Sequence, residues 1–360
     1  MKRVFISDCE GPISKNDNAF ELMAHFVPEG DSLFTRISRY DDVLADVLKK
    51  PGYNAGDTLK LILPFMKAYD VTDLQMREFS AKNILLIANS KATLEQIRSK
   101  ADAFIISTSY QHYIDALCEA LEFPYENTFC TRLSLDRYEL SEREKFRLRE
   151  IAREISQVPM VSIPPLARSL KDFSKQDQKT ICRLDEIFWN EISHMGIGKI
   201  FSEVTPVGGR QKAEAAKAAV KRSRVHLADV MYVGDSITDV EAFRLVRDNG
   251  GLTVSFNGNE YAIRSAEIAV LSENSIVTAI IFDLFSRLGT KETLRVLGNW
   301  NRETLQQNTV NKSHLERLQS LYSGALPKVQ IVTTENMEML INESNEFRKK
   351  VRGEAVGRLG

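Results

Sequence analysis

The chain has 360 residues, 43% hydrophobic and 27% charged, the balance of an ordinary globular protein with room for two or three domains. Its 48 basic and 49 acidic residues leave a net charge of −1, which excludes the general nucleic-acid affinity that a basic face would bring. The four cysteines (Cys9, Cys118, Cys130, Cys182) have no CxxC spacing, so neither a zinc knuckle nor a disulfide framework is indicated. With no apolar run near the ~20 residues of a membrane span, the expectation is a soluble, cytoplasmic protein without membrane insertion.

In chain order, Arg3-Val4-Phe5-Ile6-Ser7 predicts a short buried strand running into Asp8-Cys9-Glu10-Gly11-Pro12, where Gly11 and Pro12 set a turn. Side chains at i and i+2 share a face while the chain is extended, so Asp8 and Glu10 can converge on one substrate, one as nucleophile and the other as proton donor or acceptor. Taken alone, such a pair more commonly marks a solvated turn. Residues 15–85 then read as a helical insert. Phe20, Met23 and Ala24 have helical spacing, as do Leu44, Val47 and Leu48, and again Leu59, Ile62, Leu63 and Met66 beyond a Pro51-Gly52 break. Thr72 with Gln75 forms a capping box. A helical lobe inserted directly after a strand that ends in acids suggests a lid, with additional core as the alternative.

From residue 84 the pattern turns α/β. A helix over 91–100 leads to the strand Ala103-Phe104-Ile105-Ile106, which ends in Ser107-Thr108-Ser109 before a helix carrying Tyr113, Leu117 and Leu121. Small hydroxyl residues at a helix start make a phosphate receptor, although Ser107 by itself reads as an ordinary N-cap. Residues 136–196 predict a second helical insert. It opens with a Ser141/Glu144 capping box and the stripe Phe146 (or Leu148), Ile151 and Ile155, then crosses a loop with Pro159, Pro164 and Pro165. A further helix follows Ser174, carrying Ile181, Leu184, Phe188 and Ile192 and stopped at Gly196. Phe188-Trp189 reads as packing.

Gly208-Gly209-Arg210-Gln211-Lys212 opens an alanine-rich helix, and Lys212 falls in its first turn, where the macrodipole disfavours a cation. That misfit suggests an anion beside it, with a solvated lysine as the default reading of any single lysine. Next, Val230-Met231-Tyr232-Val233 predicts a buried strand stopping at Gly234-Asp235-Ser236-Ile237-Thr238-Asp239, followed by a helix with Val240, Phe243 and Val246. Two carboxylates at the carboxyl end of a parallel strand lie where such sheets place ligands. They need a cation to offset their repulsion, and hard oxygen ligands suit Mg²⁺; in isolation the motif equally suits a strand–turn–helix with Asp as turn former and N-cap. Leu252–Phe256 is a strand closed by an Asn257-Gly258 turn, and Ile268–Leu271 is expected as an edge strand. Beyond 285 the tail is expected to be polar and helical, with apolar spacing at Met337, Leu340, Ile341, Ser344, Phe347 and Val351.

The order Asp8/Glu10, Ser107, Lys212, Asp235/Asp239, each at a strand end or helix start, resembles the haloacid dehalogenase (HAD) superfamily in its phosphoserine-phosphatase-like branch. More distantly the chain is similar to an archaeal group of that superfamily with a DxEGP opening, described as predicted phosphatases or as a subunit of an energy-converting hydrogenase. The resemblance implies a Rossmann-like parallel-sheet α/β core from 1–14, 86–135 and 197–285, a helical cap at 15–85, an additional helical insert at 136–196 and a helical C-terminal extension at 286–360. It implies Asp8 as the nucleophile that forms an aspartyl-phosphate, and Glu10 as acid/base. Ser107 and Thr108 would bind the phosphoryl group, and Lys212 would neutralise it and restrain Asp8. Mg²⁺ would be held by Asp8, Asp235 and the backbone carbonyl of Glu10, with Asp239 nearby. The partner implied is a small phosphorylated substrate, with a homo-oligomer or protein complex left open. One departure stands out: the family's second acid is usually Asp, and Glu10 places its carboxyl ~1.5 Å further out. A phosphatase is therefore the favoured expectation. The alternative is a catalytically weak or inactive interaction or regulatory subunit, for example a hydrogenase-associated one.

Overall fold

The computed structural model describes residues 2–308, 312–357 and 359. Seven strands form one sheet: β1 Val4–Ser7, β2 Asp102–Tyr110, β3 Thr128–Thr131, β4 Val230–Gly234, β5 Leu252–Phe256, β6 Ile268–Leu271 and β7 Lys328–Ile331. Their order is β3-β2-β1-β4-β5-β6-β7, parallel throughout except that β7 runs antiparallel to β6. This is a Rossmann-like α/β fold. β1, β4, β5 and β6 are buried along their whole length, as expected for strands covered on both faces.

The strand alternation divides the core into two layers. Phe5, Ile105, Met231, Val233 and Val254 face the helices Gln111–Leu121 and Ile276–Leu297, whereas Val4, Ile6, Phe104, Val230 and Tyr232 face the helices Arg210–Ser223 and Val240–Asp248. The predicted alanine-rich helix presents Ala215, Ala216 and Ala219 to that second layer, so its backbone lies close to the sheet. Lys212 is thereby brought over the strand ends.

The two helical inserts bury their apolar stripes against each other. One continuous cluster runs from Leu22, Tyr40 and Phe65 in the first to Leu148, Leu184 and Phe188 in the second, and also takes in Leu359 near the C-terminus. Phe188 stacks on Tyr40 at a centroid distance of 5.8 Å and meets Phe65 and Phe201 edge-on. Trp189 donates from Nε1 to the Tyr40 hydroxyl at 2.9 Å. The aromatic pair is packing.

Three expectations are corrected. Ser107 is not an N-cap: β2 continues to Tyr110, held extended by its pairing with Thr131 of β3, and Tyr110 itself precedes the helix Gln111–Leu121. Ile268–Leu271 is not an edge, because β7 pairs along all four of its residues. The tail is accordingly not wholly helical. β7 is short and only one of its four residues is buried, so it carries little of the apolar alternation that marks a strand.

Candidate active site

β1 and β4 are neighbours, in register from Val4↔Val230 to Ser7↔Val233, and the sheet order reverses direction between them. Open α/β sheets bind ligands at this switch point, outside the carboxyl ends of the strands. Asp8 follows β1 directly and its N–H donates to Val233 O at 2.8 Å, while Asp235 follows Gly234 at the end of β4. Two glycines permit the approach. Gly11 has φ +102°, and a Cβ there would lie 2.3 Å from Asp235 Oδ2; a Cβ on Gly234 would lie 2.4 Å from the Asp239 carboxyl carbon.

Lys212, fully buried, bridges Asp8 Oδ2 at 2.6 Å and Asp239 Oδ1 at 2.8 Å. The anion expected from its place in the first helical turn is therefore a pair of carboxylates. Burial works against its charge, but Asp239 and Asp8 outweigh that and hold its pKa above the usual lysine range. Asp8 is subject to the converse balance. Burial, with Asp239 and Asp235 adding to it, pushes its pKa up to about 8 against the opposing charge of Lys212. Asp239 is heavily engaged: Oδ1 also accepts from the Tyr232 hydroxyl at 2.9 Å, and Oδ2 accepts from the N–H groups of Asp235 and Ser236 at 3.0 and 3.1 Å. Four donors on one carboxylate make Asp239 the organiser of the turn and of Lys212.

Glu10 stands apart from this cluster. Its Oε1 accepts from the N–H of Asn18 at 2.7 Å, the first residue of the helix Asn18–Phe26. The extra methylene of Glu relative to Asp spans the gap to that helix and ties Glu10 to the helical lobe. Burial, reinforced by Asp17, drives its pKa well above the usual carboxylate range, which favours the protonated form. Ser107 is buried at the same sheet edge, donating to Ser109 Oγ at 3.0 Å and accepting from the Ser109 N–H at 3.2 Å. Thr108 and Ser109, rather than Ser107, line the cleft between sheet and lobe. Asp8, Glu10 and Asp235 line it from the core side, and Asp41, Asp42, Thr58 and Leu59 from the lobe.

Asp8, Asp235 and Asp239 each offer an oxygen within 4.8 Å of the others, a hard-oxygen set whose chemistry fits Mg²⁺. Two residues outside the sequence reading complete the cluster. Arg348 and Arg352, from the helix Met337–Arg352, both pair with Asp235 Oδ2, Arg352 at 3.1 Å, and both line the cleft. The available signal was Arg348 falling on the helix's buried stripe, four residues after Ser344 and eight after Leu340.

Compared with solved structures, the chain aligns over 100% of its length with gene product AF1437 from Archaeoglobus fulgidus, covering 99% of that chain at 23% identity and a TM-score of 0.77. The two share a fold. Two phosphoserine phosphatase structures each align with 76% of the chain. One is a phospho-aspartyl intermediate analogue (12% identity, TM-score 0.45, 95% of that chain) and the other an apo form (13% identity, TM-score 0.41, 96% of that chain). No family model matches the sequence, and neither does any curated protein.

Proposed function

We propose that this protein is a HAD-type phosphatase that hydrolyses a small phosphomonoester with the help of Mg²⁺. The observation that carries the reading is Asp8 at the switch point of the sheet, 2.6 Å from a fully buried lysine and beside the carboxylate of the neighbouring strand. A nucleophile, a fixed cation and a metal-binding oxygen set at one sheet edge are what phosphoryl transfer requires, since that chemistry depends on positioning and charge neutralisation.

In the mechanism, Asp8 attacks phosphorus in line and the P–O bond to the substrate alcohol breaks. The leaving oxygen takes the proton of Glu10, whose buried carboxyl favours the protonated form. Glu10, now ionised, removes a proton from the water that attacks the aspartyl-phosphate, releasing inorganic phosphate and restoring Asp8 and the Glu10 proton. Thr108 and Ser109 form the cleft wall beside the phosphoryl position, and Lys212 restrains Asp8. Asp8, Asp235 and the carbonyl of Glu10 would hold Mg²⁺, which when bound keeps Asp8 ionised and offsets the phosphoryl charge.

A second reading, a catalytically weak interaction or regulatory subunit, is favoured by the two arginines on Asp235. Hydrolysis of a panel of phosphorylated metabolites, with Mg²⁺ and with excess chelator, separates the two. Metal-dependent release of phosphate that disappears in Asp8→Asn is expected. Undiminished turnover in chelator, or in Asp8→Asn, would overturn the phosphatase mechanism, and no turnover across the panel would favour the subunit.

A further inference from the structure

Asp235 is held from the far end of the chain. Arg348 and Arg352 lie one helical turn apart, their side chains 3% exposed, and both guanidiniums converge on the single oxygen Oδ2. Arg352 is further anchored through Nε to Lys15 O at 3.0 Å and through Nη2 to Asn16 O. Arg348 Nη1 also approaches the carbonyls of Asp235 at 3.3 Å and Asn257 at 3.4 Å, and its Nη2 approaches that of Leu359 at 3.4 Å. Its buried Nε has no hydrogen-bond partner among the described residues. Three carboxylates, Asp8, Asp235 and Asp239, are thus matched by three cations, Lys212, Arg348 and Arg352. Asp235 thus has its counter-charge supplied from within the chain.

A divalent ion cannot share Oδ2 with two guanidiniums: like charges at contact distance in a buried site repel strongly, and the oxygen has too few lone pairs for all three. A Mg²⁺ ion that takes Oδ2 therefore displaces both guanidiniums from it. They leave it as cleft-lining guanidiniums, one with a donor already unpaired, and a planar guanidinium is the side chain best matched to a phosphoryl or carboxylate group. Resting on the phosphatase reading above, we propose that Arg348 and Arg352 serve Asp235 as an internal counter-ion and pass to the anionic substrate when Mg²⁺ takes Asp235. Metal and phosphate then bind cooperatively, because each relieves the charge imbalance the other creates. By linkage each raises the other's affinity by the same factor.

The test is calorimetric titration of the full chain with Mg²⁺, with and without saturating inorganic phosphate, for wild type and Arg348→Gln/Arg352→Gln. In wild type, phosphate should tighten Mg²⁺ binding by about 10-fold, within the usual range of coupling between sites. In the double variant Mg²⁺ alone should bind more tightly than in wild type, and phosphate should lose its effect. Unchanged or weaker Mg²⁺ binding in the variant, with the phosphate effect retained, would overturn the exchange and leave the phosphatase reading intact. Failure of both proteins to bind Mg²⁺ would overturn both. Hydrogen exchange on wild type alone covers the case of a variant that does not fold. Mg²⁺ without phosphate should quicken exchange in residues 348–357 and added phosphate should slow it again, whereas no change with Mg²⁺ demonstrably bound would overturn the proposal.

Discussion

Glu10 and Lys212 do opposite things with burial. Burial raises the Glu10 pKa, and one of its oxygens is fastened to the first N–H of a lobe helix. Glu10→Gln keeps the shape and removes the proton, so kcat should fall by ~10²–10⁴-fold, the usual worth of general acid–base help. Glu10→Asp should fall less, because the retracted carboxyl loses Asn18 while remaining able to exchange a proton. Single-turnover kinetics decide it, and equal rates in all three proteins would remove the acid/base role. Lys212 has no exposed surface and two carboxylate partners. Lys212→Ala leaves both acids buried without their shared cation and should cost roughly 3–5 kcal/mol of stability as well as turnover, read by denaturant unfolding. A loss below ~1 kcal/mol would mean that water reaches the pair.

At the scale of elements, the two inserts act as one body. Their shared core, with Phe188 packed between Tyr40 and Phe65, predicts that they move over the cleft together or not at all. Binding of a phosphate analogue such as a metal fluoride should slow hydrogen exchange in 15–85 and in 136–204 alike. Slowing confined to the first segment would show that the second is a fixed support. The helix Gly30–Asp42 ends in two buried acids, Asp41 and Asp42, whose burial raises each pKa to about 7 from an unfolded value of 3.8. Between those values the folded chain retains a proton that the unfolded chain has released. Each acid therefore adds stability that is fully present below about pH 4 and is lost as pH rises through 7, by up to ~1.4 kcal/mol per pH unit. Asp42→Asn should flatten the decline of melting temperature over that window, and an unchanged slope would show that Asp42 titrates normally.

For the whole molecule, the C-terminal extension closes two exposures at once. β7 covers the β6 edge, and the helix Met337–Arg352 sets Leu340 and Ile341 against Ile263 and Ala269 while carrying its arginines to Asp235. The helix is also tied to the loop after β5, because Ser344 Oγ donates to Gly258 O at 2.6 Å. Removal of 328–360 uncovers a strand edge and strips Asp235 of its guanidinium partners, so the shortened chain should melt at lower temperature and self-associate, as seen by light scattering. A monomer with unchanged melting would make the extension a peripheral addition.

The local pattern by itself determined the strand–acid junctions at Asp8 and Asp235, the buried strands, the helical character of both inserts and the unusual setting of Lys212. Each of these is written in contiguous residues: an apolar run and its stop, a helical spacing, a lysine in the wrong helical turn. The reach of β2 past Ser107 to Tyr110, by contrast, was decided by pairing with β3, and the covering of β6 by a strand some 60 residues further on. The fusion of the inserts into one lobe depends on stripes far apart in sequence finding each other, as Phe65 and Phe188 do. Least legible were Arg348 and Arg352, since a charged residue on an apolar stripe reveals only that something opposite must answer it. That the answer is Asp235, 113 and 117 residues earlier, was settled by where the fold brings the helix Met337–Arg352 to rest. Burial there forces a charge to find its counter-charge, and only the tertiary structure says which one is within reach.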